Sequence, residues 1–135
     1  MRKLPALITL MTIVLTACSP SSSGSLQGVW SLVSYGNPAN QASAVPDVDA
    51  FIEFKDGQLG GNVGCNGFGG DYTIEGDTIV FGQMMATLMF CEGPVGDQES
   101  VTLSVLYDAA PYTLDGDLLT ITSADGSAIL VLEKR

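Results

Sequence analysis

Phe51-Ile52-Glu53-Phe54-Lys55-Asp56-Gly57-Gln58-Leu59-Gly60-Gly61-Asn62-Val63 reads as one β-hairpin. Apolar and polar side chains alternate from Phe51 to Lys55, as a half-buried strand requires, and Asp56-Gly57 is a dipeptide that closes two-residue turns. Gln58 to Val63 then returns along the first strand. Six glycines from Gly60 to Gly70 would weaken a flat strand, so bulges, tight bends or close backbone approach are expected there.

The same grammar extends in both directions. Upstream, Leu26 to Ser34 alternates around Val29, Trp30 and Leu32 and reads as the first strand, while Gly36 to Asp47 reads as a loop. Downstream, Gly70 to Ile74 and Thr78 to Phe81 form a second pair around Glu75-Gly76-Asp77. Tyr112 to Leu114, Leu118 to Thr122 and Ala128 to Glu133 are closing strands separated by Asp115-Gly116-Asp117 and Asp125-Gly126. One helix is expected, capped by Asp97, with Val101, Val105, Leu106 and Ala109 on one face and Ala110-Pro111 as its stop. Met84 to Phe90 carries Met84, Met85, Leu88, Met89 and Phe90, and its methionines read as core filler, with a metal or ligand site as the alternative. The fold class is therefore mainly β: a strongly curled antiparallel sheet approaching a small barrel, with one helix packed on it.

The amino terminus speaks of export. Met1-Arg2-Lys3 precedes an apolar run from Leu4 to Val14, and Leu15-Thr16-Ala17-Cys18 follows. A run of roughly a dozen apolar residues falls short of the ~20 that span a bilayer, so residues 1–17 read as a signal peptide. Leu15 to Cys18 resembles the lipobox of bacterial lipoproteins, which implies diacylglycerylation of Cys18, cleavage before it and acylation of the new terminus. Residues 18–25, rich in serine, read as a flexible tether, and residues 26–135 as one folded domain. An aspartate after the cysteine resembles an inner-membrane retention signal, and Ser19 stands there instead. The expected location is thus the outer membrane, facing the periplasm, in a Gram-negative host, or the cell surface in a Gram-positive one.

All fifteen acidic residues follow the signal, whereas Lys55, Lys134 and Arg135 are the only basic ones that do, a side-chain balance of −12. Such a chain lacks the basic patch that phosphate backbones require, and nucleic acid is excluded as a partner. The expected partners are the membrane, through the lipid, and an envelope protein or small ligand. Without histidine, Ser-His-Asp and Cys-His catalysis are impossible. Carboxylate pairs such as Glu53 with Asp71 or Glu75 could hydrolyse envelope glycans only if they faced one cleft at ~5–9.5 Å with one pKa raised. Asp47, Asp49 and the Asp-Gly turns lack EF-hand spacing. No catalytic, cofactor or metal site is expected. Cys65 and Cys91 remain as an even pair in an oxidising compartment, where a disulfide is the default; buried free thiols and a metal site are the alternatives left open.

Gly61-Asn62-Val63-Gly64-Cys65-Asn66-Gly67-Phe68-Gly69-Gly70-Asp71-Tyr72 resembles the GxxGCNxxxGxY signature of the META domain, or heat-shock HslJ-like, family. Ala86 to Cys91 is similar to its A-T-x-M-x-C segment, Trp30 to its early tryptophan, and Tyr112 to Ile121 to its C-terminal strand pair. Glu92 to Gly96 departs from the family's usual link, leaving the helix start open. The resemblance implies envelope stress, antibiotic tolerance and virulence as settings, and no established activity or cofactor. Gly61, Gly64, Cys65, Asn66, Gly70, Tyr72, Thr87 and Cys91 are the signature positions, and a structural role is the favoured reading. Gly64 and Gly70 would permit backbone geometry closed to other residues, and Asn66 would bond the local backbone.

Together these features predict a non-enzymatic envelope lipoprotein that binds a partner or supports the envelope under stress. Trp30, Tyr35, Phe68 and Tyr72 are the candidate binding surface. The alternatives are the carboxylate-based hydrolase and an inhibitor or chaperone-like module using the barrel rim or the loop from Gly36 to Val48.

Overall fold

A computed structural model describes residues 25–135. The expected signal peptide, the expected lipidation site Cys18 and all of the expected tether but Ser25 lie outside the described residues. The elements follow in order as β1 (Gly28–Asn37), β2 (Asn40–Ser43), β3 (Phe51–Lys55), β4 (Gln58–Asn62), β5 (Gly67–Glu75), β6 (Thr78–Phe81), β7 (Met85–Ala86), α1 (Gly93–Val105), β8 (Ala109–Asp115), β9 (Leu118–Thr122) and β10 (Ile129–Lys134).

The hairpin that opens the sequence reading forms as β3 and β4, with Ile52 opposite Gly61 and Lys55 opposite Gln58. Asp56 and Gly57 both take positive φ, 51° and 78°, the geometry whose twist matches that of paired strands. Antiparallel pairing continues through β1, β3, β4, β5, β6, β8, β9 and β10, and β10 pairs back onto β1, with Trp30 opposite Lys134. Eight strands thus close a barrel, which removes the free edges of its sheet. β2 and β7 are additions outside that circuit, pairing with β1 and β5 respectively. Among the described residues no helix is long and apolar enough to cross a membrane.

The interior is filled by alternate residues of every barrel strand, including Trp30, Ile52, Phe54, Leu59, Tyr72, Ile79, Ile121, Leu130 and Leu132. Trp30 Nε1 donates to Leu26 O at 2.8 Å, which satisfies the one polar atom of the largest core residue. Phe54 and Tyr72 meet edge to face at 5.1 Å between centroids. The expectation of a surface at Trp30, Tyr35, Phe68 and Tyr72 is corrected here: all four are buried. Each points inward by strand parity, and each aromatic buries more apolar area in the barrel than any rim position would allow.

Three other expectations change. Gly36 to Asp47 contains a hairpin, since β1 runs on to Asn37 and turns into β2; every residue of β2 is exposed, so no alternation marks it. The helix starts at Gly93, with Pro94 in its first turn, where a proline's missing N–H and fixed φ suit it; Asp97 is inside the helix. It ends at Val105, before Ala110-Pro111, which belong to β8. Proline fits there because Tyr112 N–H donates to Asp77 O at 2.9 Å, so Pro111 faces away from β6, and the β8–β9 ladder begins only at Tyr112.

The two ends of the barrel differ. The chain enters beside the Asp56-Gly57, Gly76-Asp77 and Gly116-Asp117 turns and the carboxyl terminus. Helix α1, the β4–β5 connection and the segment from Gly82 to Cys91 occupy the other end.

Candidate functional site

Beyond Phe81 the chain does not leave β5. Tyr72 pairs with Phe81 in one register and Phe68 with Ala86 in the next, so one residue is gained between β6 and β7, a bulge at Gln83-Met84. The bulge lies over Gly70, where a Cβ would stand 2.6 Å from Met84 Sδ and 2.8 Å from Gln83 O. Gly70 is needed for this close approach and not for an unusual backbone angle, since its φ is not positive.

After the bulge the segment Met85 to Cys91 is held by a backbone bond, by one amide side chain and by a disulfide. Thr87 N–H donates to Gly67 O at 3.0 Å. Asn66, buried, accepts at Oδ1 from Thr87 Oγ1 (2.8 Å) and from Met89 N–H (2.7 Å), and its Nδ2 donates to Met89 O (3.1 Å). The Asn66 side chain thus stands in for a neighbouring strand, and its reach is across 23 residues, not to the local backbone as its sequence position suggests. Cys91 is joined to Cys65 by a disulfide with Cα atoms 5.8 Å apart, closing the far end of the segment.

The bend that carries Cys65 and Asn66 is itself fixed by Glu99 of α1. Its Oε2 accepts from Cys65 N–H (2.7 Å) and Asn66 N–H (2.6 Å), and its Oε1 from Asn66 Nδ2 (2.6 Å). Burial alone would raise this carboxyl's pKa, but the Asn66 side chain and the two amides outweigh it and hold the group below the ordinary glutamate value. Gly64 is required here as well: a Cβ would lie 2.7 Å from Glu99 Cβ. Gln98, fully buried, accepts from Val45 N–H and donates to Val63 O, both at 2.7 Å, and so joins the loop before β3 to the same bend.

What this scaffold holds out is apolar. Leu88 is 96% exposed, Phe90 86%, Met85 74% and Met89 61%. The expectation of core filler fails for Met85 and Met89, and of the segment's methionines only Met84 packs partly against the core. The barrel circuit is already closed without this segment, so its side chains have no interior to enter. A groove of about 460 Å³ runs between it and α1, lined by Asn66, Leu88, Phe90, Glu99 and Leu103.

Of the signature positions, Gly64, Cys65, Asn66, Gly70, Thr87 and Cys91 all serve this segment, while Gly61 lies opposite Phe68 on β4 and Tyr72 fills the core. Glu99 and Gln98 were missed by sequence reasoning. Their only local signal is a polar pair in an otherwise ordinary helix, and what they bond lies more than thirty residues away. Glu53, Asp71 and Glu75 are all exposed on the barrel exterior, with β4 between the strands of Glu53 and Asp71, so these three form no desolvated pair. Asp49 pairs with Arg135. Among the described residues no three His, Cys, Asp or Glu side chains are placed to hold a metal ion.

Solved structures share the fold. A protein from Burkholderia xenovorans, determined by NMR, aligns with a TM-score of 0.69 and 17% identity over 98% of this chain and 99% of its own. A second NMR structure aligns at 0.62 and 19% identity over 81% and 90% of the two chains. The crystal structure of a DUF4847 family protein from Bacteroides vulgatus aligns at 0.58 and 14% identity over 82% and 94%. No curated protein gives a significant match. The META domain family model matches residues 24–135, which takes in every described residue, and the chain belongs to the META domain family.

Proposed function

We propose that the protein is a non-enzymatic binding module of the bacterial envelope, anchored through Cys18 and contacting its partner through Met85, Leu88, Met89 and Phe90. The observation that carries this reading is the exposure of four large apolar side chains on a backbone that Asn66, Glu99 and a disulfide hold in place. Exposed apolar patches on a fixed frame mark interaction sites, because each such side chain forgoes ~1.5–3 kcal/mol of burial. Leu26 enters the barrel at the opposite end, so a tether through residues 18–25 leaves the apolar segment on the side away from its point of attachment. That placement favours a partner in the surrounding compartment over the bilayer that holds the anchor.

The test is photocrosslinking in intact envelopes, with a photoreactive residue at position 88 or, as control, at Asp117 on the other end. A discrete adduct from position 88 that is absent from position 117 and lost in a Cys18→Ala form supports an anchored binding module. Equal labelling from the two positions would contradict a dedicated surface.

A further inference from the structure

The segment that presents these side chains also presents an unpaired strand edge. Phe68 lies opposite Ala86 and Gly69 opposite Met85, and Thr87 N–H bonds Gly67 O, so the backbone groups of residues 85 and 87 face β5. Met89 continues this parity, with its N–H and C=O both bonded to Asn66. Backbone groups alternate sides along an extended chain, so those of Ala86, Leu88 and Phe90 face outward. β7 has β5 as its ladder partner, and β8 pairs with β6 only as far as Val80 opposite Ala109. Among the described residues the edge is therefore open beside exposed Leu88 and Phe90. Open, apolar edges are usually blunted by lysine, proline or a covering loop, and none of these stands between Met84 and Cys91.

Charge selects among occupants. No lysine or arginine occurs between Lys55 and Lys134, and the chain that follows the segment carries exposed Glu92, at the N-cap of α1, and exposed Asp97 within it. Arg135 is already paired with Asp49. A second copy would bring the same excess of acid to the same edge, and an anionic lipid surface would be repelled as well. Resting on the binding-module reading above, we propose that the Ala86–Phe90 edge takes up an extended, basic polypeptide segment as an added β-strand. Main-chain hydrogen bonds to residues 86, 88 and 90 would give affinity, Leu88 and Phe90 would receive its apolar side chains, and the acidic rim its lysines or arginines.

The test uses the full chain purified from membranes in non-ionic detergent, and fluorescence anisotropy with an acetylated, amidated octapeptide of alternating lysine and valine. Its fully N-methylated form keeps side chains and charge but has no backbone donors, and a third peptide carries glutamate for lysine. Strand addition predicts binding of the lysine peptide, with affinity at least about tenfold weaker for each of the other two, since one or two lost hydrogen bonds are worth about that factor. Ala86→Pro removes an outward donor and leaves the inward bonds of Thr87 and Met89 intact; it should weaken the lysine peptide by about tenfold. Equal binding of the N-methylated peptide, equal binding by Ala86→Pro, or self-association through this edge in sedimentation would overturn the proposal. A Leu88→Ser/Phe90→Ser form separates the two readings. If it loses the peptide while N-methylation has no effect, the apolar surface stands and strand addition falls; if it binds undiminished, both fall.

Discussion

Asn66 satisfies four partners with one side chain and one amide, and its neighbours have no substitute for it. Asn66→Ala is expected to cost about 2–4 kcal/mol, because Met89 N–H and the Glu99 carboxylate lose partners in a partly buried place; chemical denaturation measures it. Glu99 carries the pH dependence of the same cluster. Its folded pKa lies below its unfolded one, so its contribution is present above the ordinary value of 4.5 and is lost as pH falls through the folded value. Glu99→Gln should therefore lower stability at neutral pH and flatten the acid limb of the stability curve. Asp125 behaves in the same direction at the surface. Hydroxyl bonding from Ser123, then the amide and hydroxyl of Ser127, lower its pKa to about 2, which a carboxyl NMR titration would read directly.

At the scale of elements, α1 holds its end of the barrel through polar atoms as much as apolar ones. Gln98, Glu99, Thr102 and Val105 are its buried residues. Gln98→Ala strands Val45 N–H and Val63 O and should cost about 2–4 kcal/mol. Among the described residues Thr102 Oγ1 is buried without a partner, so Thr102→Val should be neutral or stabilise by about 1 kcal/mol, read as a shift in denaturation midpoint. The disulfide closes a span of 26 residues, and its loss in Cys65→Ser/Cys91→Ser should cost roughly 3.5 kcal/mol in the loop-entropy picture. These elements also show where sequence was informative. Phe51 to Asn62 announced its hairpin because alternation and the Asp56-Gly57 turn are local properties. The apolar spacing marks Val101, Val105, Leu106 and Ala109, and of these Val105 and Leu106 are buried; the polar part of the buried face, Gln98 and Glu99, instead meets groups of residues 45, 63, 65 and 66. No local pattern encodes partners that distant.

Across the whole molecule, the mainly β closed barrel with one packed helix follows from many short strands joined by Asp-Gly turns. The site did not follow in the same way. Hydropathy does not say which apolar side chains a closed barrel encloses: Trp30, Tyr35, Phe68 and Tyr72 read as a surface, and the methionines of Met84 to Phe90 as core. The barrel reverses both, because its closed circuit encloses the four aromatics and leaves the later segment outside. Such a segment contributes little to folding through its side chains: Leu88→Ser/Phe90→Ser should change stability by less than about 0.5 kcal/mol while removing the contact surface. The account rests on that segment being clamped and still open on its outer side. Residue-resolved amide hydrogen exchange of the free protein tests this most directly. Slow exchange at Thr87 and Met89 with fast exchange at Ala86, Leu88 and Phe90 is the predicted result; uniformly fast exchange from residue 85 to 90 would contradict it.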